Sequence, residues 1–161
     1  VFWGLKSHFT PENEKLDAEQ LALIQLGLDA AQEIYTAQFT TGRPQVIHAD
    51  MHGWNLMWNE AAQELAVFDF DDSAIGTPLQ DLATALYYLE PEEREVWREG
   101  YASVAPLPAC SDADWETLLL HRRLFLLNYI FETHDQEAKA LLPKYLEETI
   151  RRLTVWAENR A

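Results

Sequence analysis

The tightest constraint on this chain is a spacing. His48 and Asp50 stand two positions apart, Asn55 follows five positions after Asp50, and Asp69-Phe70-Asp71-Asp72 comes after a stretch that reads as a β-hairpin. A hairpin returns the chain to where it left, so residues at its two ends become neighbours although they are distant in sequence. The fold has to bring Asn55 and Asp69 together, with Asp50 beside them. These residue types suit one kind of work. A positioned carboxylate orients a hydroxyl and accepts its proton, while amide and carboxylate oxygens suit magnesium, a hard cation that takes one or two protein carboxylates and keeps several waters. Asp50 is therefore the candidate base, and Asn55, Asp69 and Asp71 are the candidate metal ligands.

The surrounding sequence predicts a mostly helical domain around that hairpin. Asp17 can cap a helix over residues 18–39, in which Leu21, Ile24, Leu28, Ala31 and Tyr35 recur at helical spacing. Gly42-Arg43-Pro44 ends it, and a short strand at Gln45–Ile47 leads into the His48 loop. Strands are expected over residues 55–58 and 65–68 with a polar turn between them. Further helices are expected over residues 79–89, from Pro91 in the first-turn position that tolerates a missing N–H, and after the capping pattern Ser111-x-x-Asp114. The last region carries Leu142, Leu146, Ile150, Leu153 and Trp156 on one face, and Pro143 should divide it into two helices, because an interior proline removes a hydrogen bond and clashes with the preceding turn. Residues 1–161 are expected to form a single domain.

The spacing His48-x-Asp50-x-x-x-x-Asn55, followed by Asp69-Phe70, matches the loops that phosphoryl-transfer enzymes use to hold an attacking hydroxyl and magnesium. In detail it resembles the aminoglycoside phosphotransferase and choline kinase group more than protein kinases. His52 and Asn55 fall where that group's His-Gly-Asp-Leu-His-x-x-Asn loop has them, and Asp69-Phe70-Asp71 matches its Asp-Phe-Asp/Glu. Gly76-Thr77-Pro78-Leu79-Gln80-Asp81-Leu82-Ala83 is similar to its Gly-x-Pro-x-x-Asp-Leu-Ala segment. The resemblance implies an α+β, predominantly helical fold: the C-terminal lobe of a protein-kinase-like fold, with a small hairpin carrying the catalytic and metal-binding loops. It implies ATP as co-substrate, Mg2+ as cofactor and a small-molecule hydroxyl as acceptor. His48 is counted with Asp50 as a catalytic residue, although the resemblance implies that this histidine is mainly structural and a buried histidine satisfied by backbone hydrogen bonds fits it equally well; Asp81 is implied to support this loop by accepting backbone N–H groups. His52 and Asp72 are assigned to structural support, Asp72 by pairing with a basic group.

A nucleotide-clamping N-terminal lobe, with its phosphate-covering loop and strand lysine, is expected to be missing from these residues. The glycines stand singly, no G-x-G occurs, and only one helix-like region precedes the catalytic loop. Val1 in place of Met suggests a processed or excised piece of a larger enzyme, and this lobe alone is expected to transfer phosphate feebly or not at all.

Composition narrows the class further. A formal charge of −15 argues against nucleic-acid binding, since phosphate backbones attract basic surfaces. It suits a cationic acceptor, with the acids in residues 90–95 and 112–116 as candidates to line its pocket, although acids on a surface more often serve solubility alone. Cys110 is the only cysteine, so no internal disulfide can form, and a reducing, cytoplasmic location is the natural reading. No secretory signal is read in residues 1–10. The most apolar run, residues 118–131, is broken by His121, Arg122 and Arg123 and falls short of the ~20 residues needed to span a bilayer. Two other functional classes compete: a metallohydrolase built on His48, Asp50, His52 and Asp69, and a non-catalytic pseudokinase-like binding lobe.

Overall fold

The computed structural model describes residues 6–160. The reading of Val1 as the start of an excised piece lies outside the described residues, as does part of the signal-peptide reading. The elements run α1 (Ala18–Thr41), β1 (Gln45–Ile47), a 3-10 turn (Gly53–Asn55), β2 (Leu56–Asn59), β3 (Glu64–Val67), β4 (Ala74–Gly76), α2 (Pro78–Tyr87), α3 (Pro91–Ala102), α4 (Asp112–Glu132), α5 (Gln136–Ala140) and α6 (Leu142–Glu158). The chain groups into two compact units. One holds residues up to Ile34 and those from Asp112 onward; the other is Tyr35–Ser111.

In the first unit, α4 and α6 pack with the N-terminal part of α1. Ile24, Leu124, Leu127 and Leu153 are fully buried in its core, with Leu142 and Trp156 close behind. Gly27 has a steric reason: a Cβ there would meet Leu153 Cδ2 at 2.9 Å, so its absence lets helices approach at the price of roughly 1 kcal/mol of helix propensity. Several buried polar groups are matched to partners. Trp156 Nε1 donates to Thr117 Oγ1 at 2.9 Å, and Arg123 Nε donates to Thr149 Oγ1 at 2.9 Å while its guanidinium lies 4.1 Å over the Tyr145 ring. Asn128, with no exposed surface, accepts the His8 N–H and donates to the Lys6 carbonyl, which fastens the N-terminal segment to α4. As the sequence indicated, the C-terminal region breaks before Pro143, which occupies the first turn of α6.

The second unit is built around two short antiparallel ladders. β2 and β3 form the expected hairpin, in register from Leu56 opposite Val67 to Asn59 opposite Glu64. Its turn is closed by Asn59 Oδ1, which accepts the Ala62 N–H, and by Gln63 in the left-handed region. The second ladder is a feature that the sequence did not announce: β1 pairs with β4, Val46 opposite Ile75. Together the ladders bracket both loops. One loop leaves β1 and enters β2, the other leaves β3 and enters β4, so each is held at both ends.

α2 follows at once. Gln80 Oε1 accepts the Thr77 N–H at 2.9 Å and Pro78 opens the first turn, where its missing donor is harmless. A side chain on Gly76 would collide with Gln80 and with Ile47, so only glycine lets the strand turn this tightly into the helix. Leu79, Leu82, Ala83 and Leu86 bury the inner face of α2.

Candidate active site

The first loop is suspended from one carboxylate. Asp81, at the first turn of α2, accepts the His48 N–H on Oδ2 at 2.9 Å and the Ala49 N–H on Oδ1 at 2.7 Å. Two successive amides can face one carboxylate because Ala49 takes φ 69°, a left-handed conformation that costs a non-glycine residue energy and is kept where the surroundings impose it. Burial pushes the Asp81 carboxyl above its ordinary range, and the two backbone donors pull the other way.

His48 is buried and uses both ring nitrogens. Nε2 lies 2.9 Å from the Phe68 carbonyl, which can only accept, so Nε2 carries the proton and Nδ1 accepts the Asp50 N–H at 3.3 Å. The ring thus ties the first loop to the second and sits 4.8 Å from the Phe70 ring. Its position is that of a fastener rather than of a group that meets substrate.

Asp50 stands between two supports. His52 Nε2 is 3.1 Å from Asp50 Oδ2, and Asn55 Nδ2 donates to the Asp50 carbonyl at 3.0 Å while reaching Oδ2 at 3.5 Å. The Asn55 carbonyl in turn accepts the Phe68 N–H at 3.1 Å, which places Asp69 at the next position across the hairpin. With Nδ2 turned to Asp50, Oδ1 is the atom of the Asn55 amide left for a cation.

Asp69, Asp71 and Asp72 are exposed, and Asp69 also takes a left-handed φ of 64°. The Ser73 N–H closes the turn onto the Phe70 carbonyl at 3.0 Å. Asp72, expected to pair with a basic group, makes no ion pair among the described residues, because this tight turn leaves it facing outward. The quartet proposed for a hydrolytic metal centre is not gathered either. Among the described residues no three His, Cys, Asp or Glu side chains are placed to hold a metal ion; His48 is spent on backbone groups and His52 on Asp50.

Beside Asp50 lies a cavity of about 660 Å3 within the second unit, with walls that are largely aromatic and aliphatic. His52, Trp54 and Tyr88 meet edge to face with centroids 5.1–5.4 Å apart, and Trp97 stacks on Tyr101 at 5.8 Å. The sequence reading assigned no functional role to Trp54, Tyr88, Trp97 or Tyr101. The signal that could have found them is Trp97-x-x-x-Tyr101, an apolar pair at i, i+4 in an otherwise acidic helix. The acids of residues 90–95 do not line this cavity; among the described residues Asp81 is the only carboxylate that does.

Comparison with known proteins follows from this geometry. The family model described as "Phosphotransferase enzyme family" matches residues 4–121. No curated protein sequence gives a significant match. Among solved structures, an amicoumacin kinase in complex with AMP-PNP, Ca2+ and Ami is similar, with a TM-score of 0.52 and 16% identity over 91% of this chain and 50% of that one. The present chain thus spans about half the length of that kinase. At this identity the likeness is one of fold: a predominantly helical α+β lobe, the C-terminal lobe of a protein-kinase-like fold.

Proposed function

We infer, because the chain belongs to the phosphotransferase enzyme family and its loops set a carboxylate beside oxygen donors, that it is the catalytic lobe of an ATP- and Mg2+-dependent small-molecule kinase. The reaction moves a γ-phosphoryl group to an acceptor hydroxyl. The oxygen forms the new bond to phosphorus, the nucleoside diphosphate leaves, and the hydroxyl proton passes to Asp50. One observation carries the reading: Asn55 holds Asp50 through its side chain and Phe68 through its carbonyl, so base and metal-side residues share one anchor.

The donor set fits magnesium. Asn55 Oδ1 and the exposed carboxylates of Asp69 and Asp71 are oxygens, the ligand type a hard cation prefers. When bound, the ion would neutralise charge on the phosphates. The chain's own residues do the positioning. Asp81 fixes the backbone ahead of Asp50, His52 and Asn55 hold the Asp50 carboxylate, and His48 keeps the metal-side loop in step. Phosphoryl transfer is chiefly a matter of placement and charge, so these supports are worth as much as the base.

The missing half of the phosphate clamp belongs to a nucleotide-binding lobe contributed by the rest of a longer protein, and the 161 residues alone are expected to turn over feebly. The test is Asp50→Asn in the intact protein, followed by nucleotide consumption with magnesium across a panel of hydroxyl acceptors. Acceptor-dependent turnover should fall by about 10²–10⁴-fold with the fold retained. Undiminished turnover would remove Asp50 from the chemistry.

A further inference from the structure

We propose that the acceptor is an uncharged molecule with a flat aromatic ring system and a hydroxyl, bound in the aromatic cavity of the second unit, and not a polyamine or a quaternary amine. The proposal rests on the phosphotransferase reading and gives that site a substrate class.

Size comes first. A cavity of about 660 Å3 lies in the range of small-molecule sites, which are mostly apolar with a few placed polar groups. Its walls combine the aliphatic side chains of Leu56, Leu65 and Leu82 with the aromatic groups described above. Flat rings complement such walls, since aromatic pairs gain roughly 0.5–1.5 kcal/mol beyond their buried area when offset or edge to face.

Charge then discriminates. A polycation entering this space would lose its water and needs carboxylates in return. Among the described residues the carboxylates within reach are Asp81 in the wall, whose two oxygens already accept backbone N–H groups, and Asp50 behind His52, whose Oδ2 is already met by His52 Nε2 and Asn55 Nδ2, so neither offers an unshared counter-charge to a polycation. The acids that give the chain its charge of −15 lie elsewhere: Glu90, Glu92, Glu93 and Glu95 are all exposed. Ring faces could still attract a single cation. Here, however, His52, Trp54 and Tyr88 turn edges into one another's faces, so those faces are partly used.

The link to chemistry is His52. Its ring forms part of the cavity wall while its Nε2 contacts Asp50 Oδ2, so a hydroxyl at the His52 end of a bound guest stands next to the proposed base.

Calorimetric titration without nucleotide tests this, using 2-(2-naphthyl)ethanol, choline and kanamycin as probes against the chain and its Trp54→Ala variant. Trp54 is 74% exposed, so its truncation leaves the fold intact. The naphthyl alcohol should bind at least tenfold more tightly than either cation, and at least fivefold more weakly to the variant. Equal or tighter binding of kanamycin or choline overturns the proposal. So does the absence of naphthyl alcohol binding, or binding that Trp54→Ala leaves unchanged. Because no phosphoryl donor is present, the result stands apart from the Asp50→Asn turnover test: either reading can fail without the other.

Discussion

His48 donates from Nε2 to the Phe68 carbonyl at 2.9 Å, and this bond joins the loop that carries Asp50 to the loop that carries Asp69. Removing the ring in His48→Ala leaves that carbonyl and the Asp50 N–H without their partners. A lost buried hydrogen-bond partner costs about 1–3 kcal/mol. The variant should unfold at lower urea concentration by that margin, and in the intact protein kcat should drop further than substrate affinity. Wild-type kcat in His48→Ala would show that the two loops keep their alignment without the ring.

Asp81→Asn probes the suspension of the loop that carries Asp50. A carboxylate accepts on two oxygens, whereas an amide offers one and sets an NH2 group against the other backbone N–H. The expected cost is again about 1–3 kcal/mol, with turnover reduced although Asp81 touches no reacting atom in the proposed mechanism. Amide exchange at His48 and Ala49 is the direct readout. Protection unchanged at both positions would mean that the loop is held by its strands alone.

Stability should depend on pH through His121, which lies on α4. Burial, with Arg122 nearby, holds its imidazole at about 4, below the ordinary 6.5. The unfolded chain therefore binds a proton between those values that the folded chain refuses. Stability from this group is complete above about pH 6.5 and is lost as the pH falls toward 4, by roughly 3 kcal/mol in all. Urea titrations at pH 7.5, 6 and 5 should trace that decline, and His121→Leu should flatten it. An equally steep decline in the variant would assign the effect to other groups.

Much of this architecture was legible because it depends on local rules. Residues 55–68 hold two short apolar runs joined by a polar turn and form the hairpin within one position of the expected ends. Gly42-Arg43-Pro44 ends the first helix, which runs two residues beyond the predicted 39, to Thr41. The order of Gly76, Thr77, Pro78 and Asp81 marks a tight strand-to-helix turn with an acceptor in its first turn, and that is how it folds. What stayed hidden is non-local. β4 has three residues, too few for a period to show, and it exists because β1 supplies its partner. Ala49 and Asp69 adopt left-handed backbone that no propensity assigns to them; the loop closures impose it. The cavity wall was missed because its aromatics come from three separate segments.

The β1–β4 ladder has a thermal consequence. It is only three residues long, and Val46 and Ile75 at its centre are 71% and 63% exposed, so little burial opposes its parting. Opening free energies vary across a native structure, and short exposed ladders lie at the low end. When this one parts, the outer ends of both loops are released while the hairpin and the helices stay formed. Heat should therefore release the two loops some degrees below the temperature at which the helices melt, reversibly, as a strap that slips before the frame gives way.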